Sequence, residues 1–168
     1  MIGMTVIFPG SFDPVTLGHM DIVNRASALF TKLIVAVMDN KNKETVFNAE
    51  ERAAFVRKCI KGLPNVDVFI YSGLLTDFFK SAGAAAIVRG VRGPSDFDFE
   101  LTYAQAFKKY DNNIETLFLP SLLEHAFVSS GMAREVATFG GDLRLLLPDV
   151  IIDEVKERFR EGRGWKQY

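Results

Sequence analysis

Cysteine is almost absent from this chain. The 168 residues hold one, Cys59, which excludes an internal disulfide framework and a thiolate zinc site and suits a cytoplasmic protein. It sits between Val56 and Ile60 in a helical pattern, as a small core residue would. Histidine is nearly as scarce. Neither His19 nor His125 has metal-ligand spacing to a second His or Cys, so no protein-held metal is expected. Net charge is also missing: 20 Lys and Arg against 21 Asp and Glu leave −1, and no basic face is offered to nucleic acid. No apolar run reaches membrane-spanning length, and no signal peptide is visible. Linkers, repeats and low-complexity stretches are lacking. So are a Walker-type P-loop, a G-x-S-x-G elbow, a kinase signature and a paired-carboxylate motif.

What is present is a regular alternation. Apolar runs at 4–8, 33–38, 66–71, 84–88 and 114–119 read as buried strands. Helical patterns fall at 18–30, 49–61, 74–82, 96–110 and 130–139, with a C-terminal pair near 142–147 and 149–161. Asn48 and Glu51 form a capping-box pattern, Ser95 suits an N-cap, and Pro148 suits the start of the last helix. The expectation is one α/β domain over 1–168, with C-terminal helices from about 142. Its core is a Rossmann-like, doubly wound five-stranded parallel sheet with helices on both faces. Ligands on such sheets bind at the carboxyl ends of the strands, near the switch point.

The segment Pro9-Gly-Ser-Phe-Asp-Pro-Val-Thr-Leu-Gly-His19 joins the first strand to the first helix. A helix N-terminus offers free N–H groups and partial positive charge, which suit a phosphate. Gly10 and Gly18 allow close backbone approach, Ser11 and Thr16 add hydroxyls, and His19 adds a ring N–H donor. Thr16 could equally be an N-cap, and His19 a surface residue. The coincidence of strand, turn, hydroxyls and His favours a phosphate loop.

Other strand ends add to the same rim. After the second strand comes a polar loop with Asp39, Lys41 and Lys43, which by itself reads as solvated. After the fourth comes a loop with Arg89-Gly90-Val91-Arg92, whose guanidinium forks suit phosphate oxygens. After the fifth come His125 to Gly131, where Ser129 and Ser130 can cap a helix, bind phosphate, or both. Glu100 is either a favourable early-helix acid or a partner for a sugar hydroxyl.

Together these parts resemble the nucleotidyltransferase superfamily with a T/H-x-G-H motif. Within it they resemble the bacterial phosphopantetheine adenylyltransferase family over nearly the whole chain. The matching residues are Pro9 to His19, Lys43 to Arg52, Ser72 to Phe78, Arg89 to Arg92 and Asp96 to Glu100. The resemblance implies transfer of the adenylyl group of ATP to 4′-phosphopantetheine, giving 3′-dephospho-coenzyme A and pyrophosphate. It implies His19 as transition-state stabiliser, with Lys43 and Arg92 as further catalytic residues. Ser11, Phe12, His19, Gly90, Val91, Arg92 and Glu100 would contact ATP, as would His125, Ala126, Phe127, Val128, Ser129, Ser130 and Gly131. Ser11, Lys43, Leu75 and Arg89 would contact the acceptor. Mg²⁺ would accompany ATP, coenzyme A is a feedback-ligand candidate, and the assembly would be a homohexamer.

The chain departs from the family pattern in places. Val128-Ser-Ser-Gly131 has two hydroxyls where three are usual, Arg134 replaces a lysine, His125 replaces an aromatic residue, and Gly93-Pro94 replaces Ala-Val. Two other readings stay open: a nucleotidyltransferase with a nicotinamide mononucleotide or glycerol phosphate acceptor, and a nucleotide sensor without turnover. Aminoacyl-tRNA synthetases share the fold and an H-x-G-H signature, but this chain has no room for tRNA-binding parts.

Overall fold

The computed structural model describes residues 2–160 and Gly162. Residue 161, where the last helix is expected to end, lies outside the described residues, as do Met1 and 163–168 of the expected 1–168 domain. The strands are β1 (Ile2–Gly10), β2 (Phe30–Met38), β3 (Val66–Tyr71), β4 (Ala86–Val91) and β5 (Thr116–Pro120). The helices are α1 (Leu17–Leu29), α2 (Ala49–Cys59), α3 (Leu75–Ser81), α4 (Pro94–Tyr110), α5 (Ser130–Thr138) and α6 (Asp149–Arg160), with a 3-10 turn at Leu123–His125. The sheet is parallel, in the order β3-β2-β1-β4-β5. Its switch point lies between β1 and β4.

Strand alternation builds two cores. Val6, Phe8, Leu33, Val35, Val37, Ala86 and Val88 face the cluster made with α1, α2, α5 and α6. Ile7, Ile34, Ala36 and Ile87 face the opposite cluster, with Phe78 and Phe79 of α3. This two-residue period is what a sheet buried on both faces requires. Among the described residues no helix is long and apolar enough to cross a membrane.

Four local expectations change. The stretch 142–147 is not a helix but a single turn, in which the Leu146 and Leu147 amides both donate to the Leu143 carbonyl at 2.9 Å. Gly140 and Gly141 precede it, and Pro148 disfavours a helical residue before itself. Its leucines 143, 146 and 147 are core residues all the same. At α4 the N-cap is Gly93, not Ser95, because Pro94 takes the first helical position. Helix α1 stops at Leu29, which is exposed, and Phe30 already begins β2. Finally, Arg89, Gly90 and Val91 belong to β4 rather than to a loop, because pairing with β5 continues through Val91↔Pro120.

That last difference shapes the cleft. Strands β1 and β4 pair only at Val6↔Ala86 and Ile7↔Ile87. Beyond Ile7, β1 continues alongside β2 to Gly10, and β4 continues alongside β5 to Val91. The two central strands therefore part at their carboxyl ends and open a crevice at the switch point.

Candidate active site

The β1–α1 turn places the histidine. Thr16 is the N-cap of α1, and its hydroxyl accepts from the His19 amide at 3.3 Å. In return the Thr16 amide donates to His19 Nδ1 at 3.0 Å. The box thus uses a His where Glu or Gln is usual. Thr16 is fully buried, so its hydroxyl serves the cap and the ring rather than standing free. Because Nδ1 accepts, the ring proton belongs on Nε2, and the half-buried ring on the crevice wall is a neutral N–H donor. Burial, then the charges of Arg92 and Arg89, push its pKa down to about 4.

Phe12 braces the ring from behind. It is buried and meets His19 edge-on, with centroids 5.0 Å apart, and it meets Phe8 at 5.6 Å. To do so it adopts φ +50°, a left-handed conformation that is costly for a bulky residue. A Cβ on Gly10 would lie 2.9 Å from the Phe12 ring, so this glycine makes room for the aromatic.

Arg89 bridges the gap between the central strands. Its Nη1 donates to the Pro9 carbonyl at 2.9 Å, while Nε and Nη2 each hold a Glu100 oxygen at 2.5 Å. These bonds use three of its five N–H donors. Glu100, the buried residue of α4, is aimed at the cleft by this pair. Arg92 makes a second fork with Asp96, at 3.2 and 3.1 Å, and reaches the Val128 carbonyl at 3.5 Å. Burial alone would raise the Asp96 pKa, but the hydrogen bonds from the Arg92 side chain and amide carry it below the usual value. The bond with Asp96 in turn holds the guanidinium charged.

Two cavities of about 370 Å³ each adjoin here. The first is walled by Ser11, His19, Gly90, Arg92, Glu100 and Val128 to Ser130. The second is walled by Met38, Thr45, Leu75, Tyr103 and Phe107. Both share Gly10, Ser11, Lys43, Arg89 and Phe99. One polar chamber and one more apolar chamber therefore meet along a line of hydroxyl, ammonium and guanidinium groups. A larger, open hollow of about 540 Å³ lies apart from this rim, lined by Asp142, Arg144, Asp149, Asp153 and Lys156.

Most of the expected residues come together in this crevice. Phe12 stands behind it, and Val91, His125, Ala126, Phe127 and Gly131 line neither cavity. His125 sits in the 3-10 turn beside Glu124, and Phe127 is exposed. Sequence reasoning missed Met38, Thr45, Phe99, Tyr103 and Phe107. Tyr103 and Phe107 lie three and seven positions after Glu100 in α4, a helical spacing that was a readable signal. It also missed Asp13 and Arg52. Asp13 is buried and receives the amides of Val46 and Phe47 at 3.1 and 3.0 Å. The departure Arg134 contacts this residue too, donating to the Asp13 carbonyl at 2.5 Å.

Among the described residues no three His, Cys, Asp or Glu side chains gather as a metal cage, and Asp96 and Glu100 are both engaged by arginines.

Comparison with known proteins identifies the family and the fold. The cytidylyltransferase-like family matches residues 7–136. A phosphopantetheine adenylyltransferase of a Synechococcus species is 47% identical over 93% of this chain and 98% of its own length. Those of a Picosynechococcus species (43%, covering 94% and 88%) and Finegoldia magna (42%, covering 93% and 96%) are similar. A crystal structure from Vibrio parahaemolyticus, assigned as a nicotinate-nucleotide adenylyltransferase, superposes with a TM-score of 0.63 over 94% of this chain and 96% of its own. At 19% identity, that structure speaks for the fold alone.

Proposed function

The chain belongs to the cytidylyltransferase-like family, within its phosphopantetheine adenylyltransferase branch, and from that premise we propose how its crevice works. The reaction is adenylyl transfer from ATP to 4′-phosphopantetheine, yielding 3′-dephospho-coenzyme A and pyrophosphate. The observation that carries the residue assignment is the shared wall of Ser11, Lys43 and Arg89 between the two cavities. ATP occupies the polar chamber, with its phosphates toward His19, Arg92 and the N-terminus of α5 at Ser129 and Ser130. The pantetheine arm lies along Leu75 in the second chamber, and its phosphate rests at the shared wall.

An oxygen of the acceptor phosphate attacks the α-phosphorus of ATP in line. The new O–P bond forms as the bond to the bridging oxygen of the leaving pyrophosphate breaks. The nucleophile is already an oxyanion at neutral pH, so catalysis rests on placement and charge stabilisation. His19 donates its Nε2 proton as a hydrogen bond to the α-phosphate as charge grows there. Its neutral state suits this role, since Nδ1 is fixed by Thr16 and the donor need not reorganise. Lys43 and the two remaining donors of Arg89 hold the acceptor phosphate, and Arg92 holds ATP. Glu100 keeps Arg89 in place and faces the nucleotide. Mg²⁺ enters as part of the ATP substrate, bound by phosphate oxygens.

The setting is cytoplasmic, and the assembly a homohexamer. Exposed Phe97 and Tyr110 on α4, which line neither cavity, support assembly as apolar surface that a second copy would cover. Coenzyme A, which carries the same pantetheine arm, competes for the second chamber.

The test is pyrophosphate release from ATP, Mg²⁺ and 4′-phosphopantetheine, beside nicotinamide mononucleotide as a control acceptor. Release with pantetheine alone is expected. Release only with the nicotinamide acceptor would overturn the substrate. His19→Ala is expected to keep ATP binding and lose about 100-fold in kcat, the scale of one oxyanion-stabilising donor. Near-normal turnover would remove His19 from the mechanism.

A further inference from the structure

The loop that carries Lys43 is exposed from Asn40 to Glu44, yet both of its ends are tied to the phosphate turn through one buried cation. That cation is Arg52, on the inner face of α2 and 1% exposed. Its Nη1 donates to the Ser11 carbonyl at 2.6 Å and to the Met38 carbonyl at 3.0 Å. Its Nε donates to the Phe47 carbonyl at 3.0 Å, and its Nη2 to Asp39 Oδ1 at 3.2 Å. One planar group thus binds the turn after β1, the end of β2 and the far end of the Lys43 loop.

A second tie runs the other way. The buried Asp13 carboxylate accepts from the Val46 and Phe47 amides, so the same two segments are joined by an acceptor as well as a donor. From outside, Arg158 of α6 donates to the Val46 carbonyl at 2.9 Å and lies over the Phe47 ring at 4.9 Å. Within the loop, the Lys43 amide closes a turn onto the Asn40 carbonyl at 2.9 Å. The free span between the anchored ends is therefore short.

We infer that Arg52 and Asp13 form a latch that positions Lys43 against Ser11 and Arg89 at the junction of the two cavities. They are positioning residues, since neither lines a cavity. Burying a guanidinium is costly unless its donors are matched, and here the matches are the backbone oxygens of the segments to be aligned. A Leu or Met could fill the same space. It could not hold three carbonyls from separate segments in one plane. Lysine could not either, because its ammonium is a point donor on a flexible stem, not a flat fork. With the latch intact, the exposed Lys43 ammonium searches a small volume facing the acceptor phosphate. Without it, the loop keeps its residues but loses its register on the turn.

This inference rests on the reading of Lys43 as an acceptor-phosphate ligand, and the test separates the two. In the wild-type protein, hydrogen exchange should be at least about tenfold slower at the Val46 and Phe47 amides than at Glu44, because anchored backbone opens less often. Folded Arg52→Lys, checked by melting and ATP binding, is expected to lose about 100-fold in kcat with the pantetheine acceptor, the scale of a misplaced reacting group. Its KM for ATP should stay within about threefold, because His19, Arg92, Ser129 and Ser130, which face the ATP phosphates, take no hydrogen bond from Arg52. Adding Lys43→Ala to Arg52→Lys should then cost little more, although Lys43→Ala alone is costly, because coupled residues are not additive. If Arg52→Lys does not fold, Asp13→Asn serves in its place, since one amide of the pair loses its acceptor.

Equal exchange at Val46, Phe47 and Glu44 overturns the latch. So does wild-type turnover in the folded variant, and so do losses that multiply in full when combined with Lys43→Ala. Wild-type turnover in Lys43→Ala alone overturns the site reading instead. Slow exchange with coupled losses establishes both.

Discussion

His19 should resist protonation until the protein is well into acid, and that resistance should be measurable as stability. In the unfolded chain a histidine titrates near 6.5. In the folded protein burial and the nearby Arg92 and Arg89 push it down to about 4. A group whose folded pKa is depressed stabilises the protein fully above its unfolded pKa. The contribution is lost as pH falls toward the folded value. Between pH 7.5 and pH 5 the loss is about 2 kcal/mol, because at pH 5 the unfolded imidazole is almost wholly protonated and the folded one hardly at all. For a domain of this size that is roughly 4–8 °C in melting temperature. The assay is the melting of wild type and His19→Gln at both pH values, without ligand. Other groups titrate alike in both proteins, so the difference in pH slope isolates His19. The chain has only two histidines, so imidazole NMR with His125→Gln as the assignment control gives the pKa directly. A pKa near 6.5, or identical pH slopes, would refute a half-buried, neutral ring held through Nδ1. Saturating ATP should move the titration upward, since phosphate charge favours imidazolium.

Arg89→Ala is expected to weaken acceptor binding more than ATP binding, and also to release Glu100 from the guanidinium fork that holds both of its oxygens. Calorimetric titration with each substrate checks this, and unchanged acceptor affinity would move Arg89 off the shared wall. Cys59 should react slowly with a thiol reagent at pH 8. Burial raises its pKa to about 11, which leaves only about one thiolate in a thousand. Labelling at the rate of a free cysteine would mean that the helix opens there.

The elements were legible where pattern and environment agree. The runs around Val6, Val35 and Val68 are apolar and β-branched, and they became three adjacent strands. The end of β4 was not legible, because Arg89-Gly-Val-Arg92 reads as a polar loop. Only pairing with β5 makes Arg89 to Val91 a strand, and that is a tertiary contact no local pattern carries. The turn at 142–147 fails in the opposite way. Leu143, Leu146 and Leu147 are buried and Leu145 is exposed, but four leucines in six residues do not choose between a helix and one turn. The T-x-G-H segment located the site because its residues are contiguous. The second chamber was harder, since its walls come from β2, its following loop, α3 and α4. Arg52 did leave a trace: a charge set one, three and four positions before Ala53, Phe55 and Val56, all on the buried face of α2.

The crevice is less cationic than its composition suggests, and that follows from the same requirement for fixed geometry. Arg89 and Arg92 each face a carboxylate, and His19 is neutral, so Lys43 is the cleft cation that no carboxylate pairs among the described residues. If the site worked by attraction alone, Glu100 and Asp96 would be a loss, since each offsets a positive charge that could meet phosphate. If it works by preorganisation, they are required. A solvated arginine must give up side-chain freedom and reorient water when the ligand arrives. One already held by a carboxylate has borne that cost in folding. The same logic covers the Thr16 amide on His19 and the Arg52 fork on the Ser11 and Phe47 carbonyls. In each case a group expected near phosphate is oriented by a fixed partner before the ligand arrives. The exception is the Lys43 ammonium at an exposed loop tip, and there the restraint falls on the backbone at both ends of the loop.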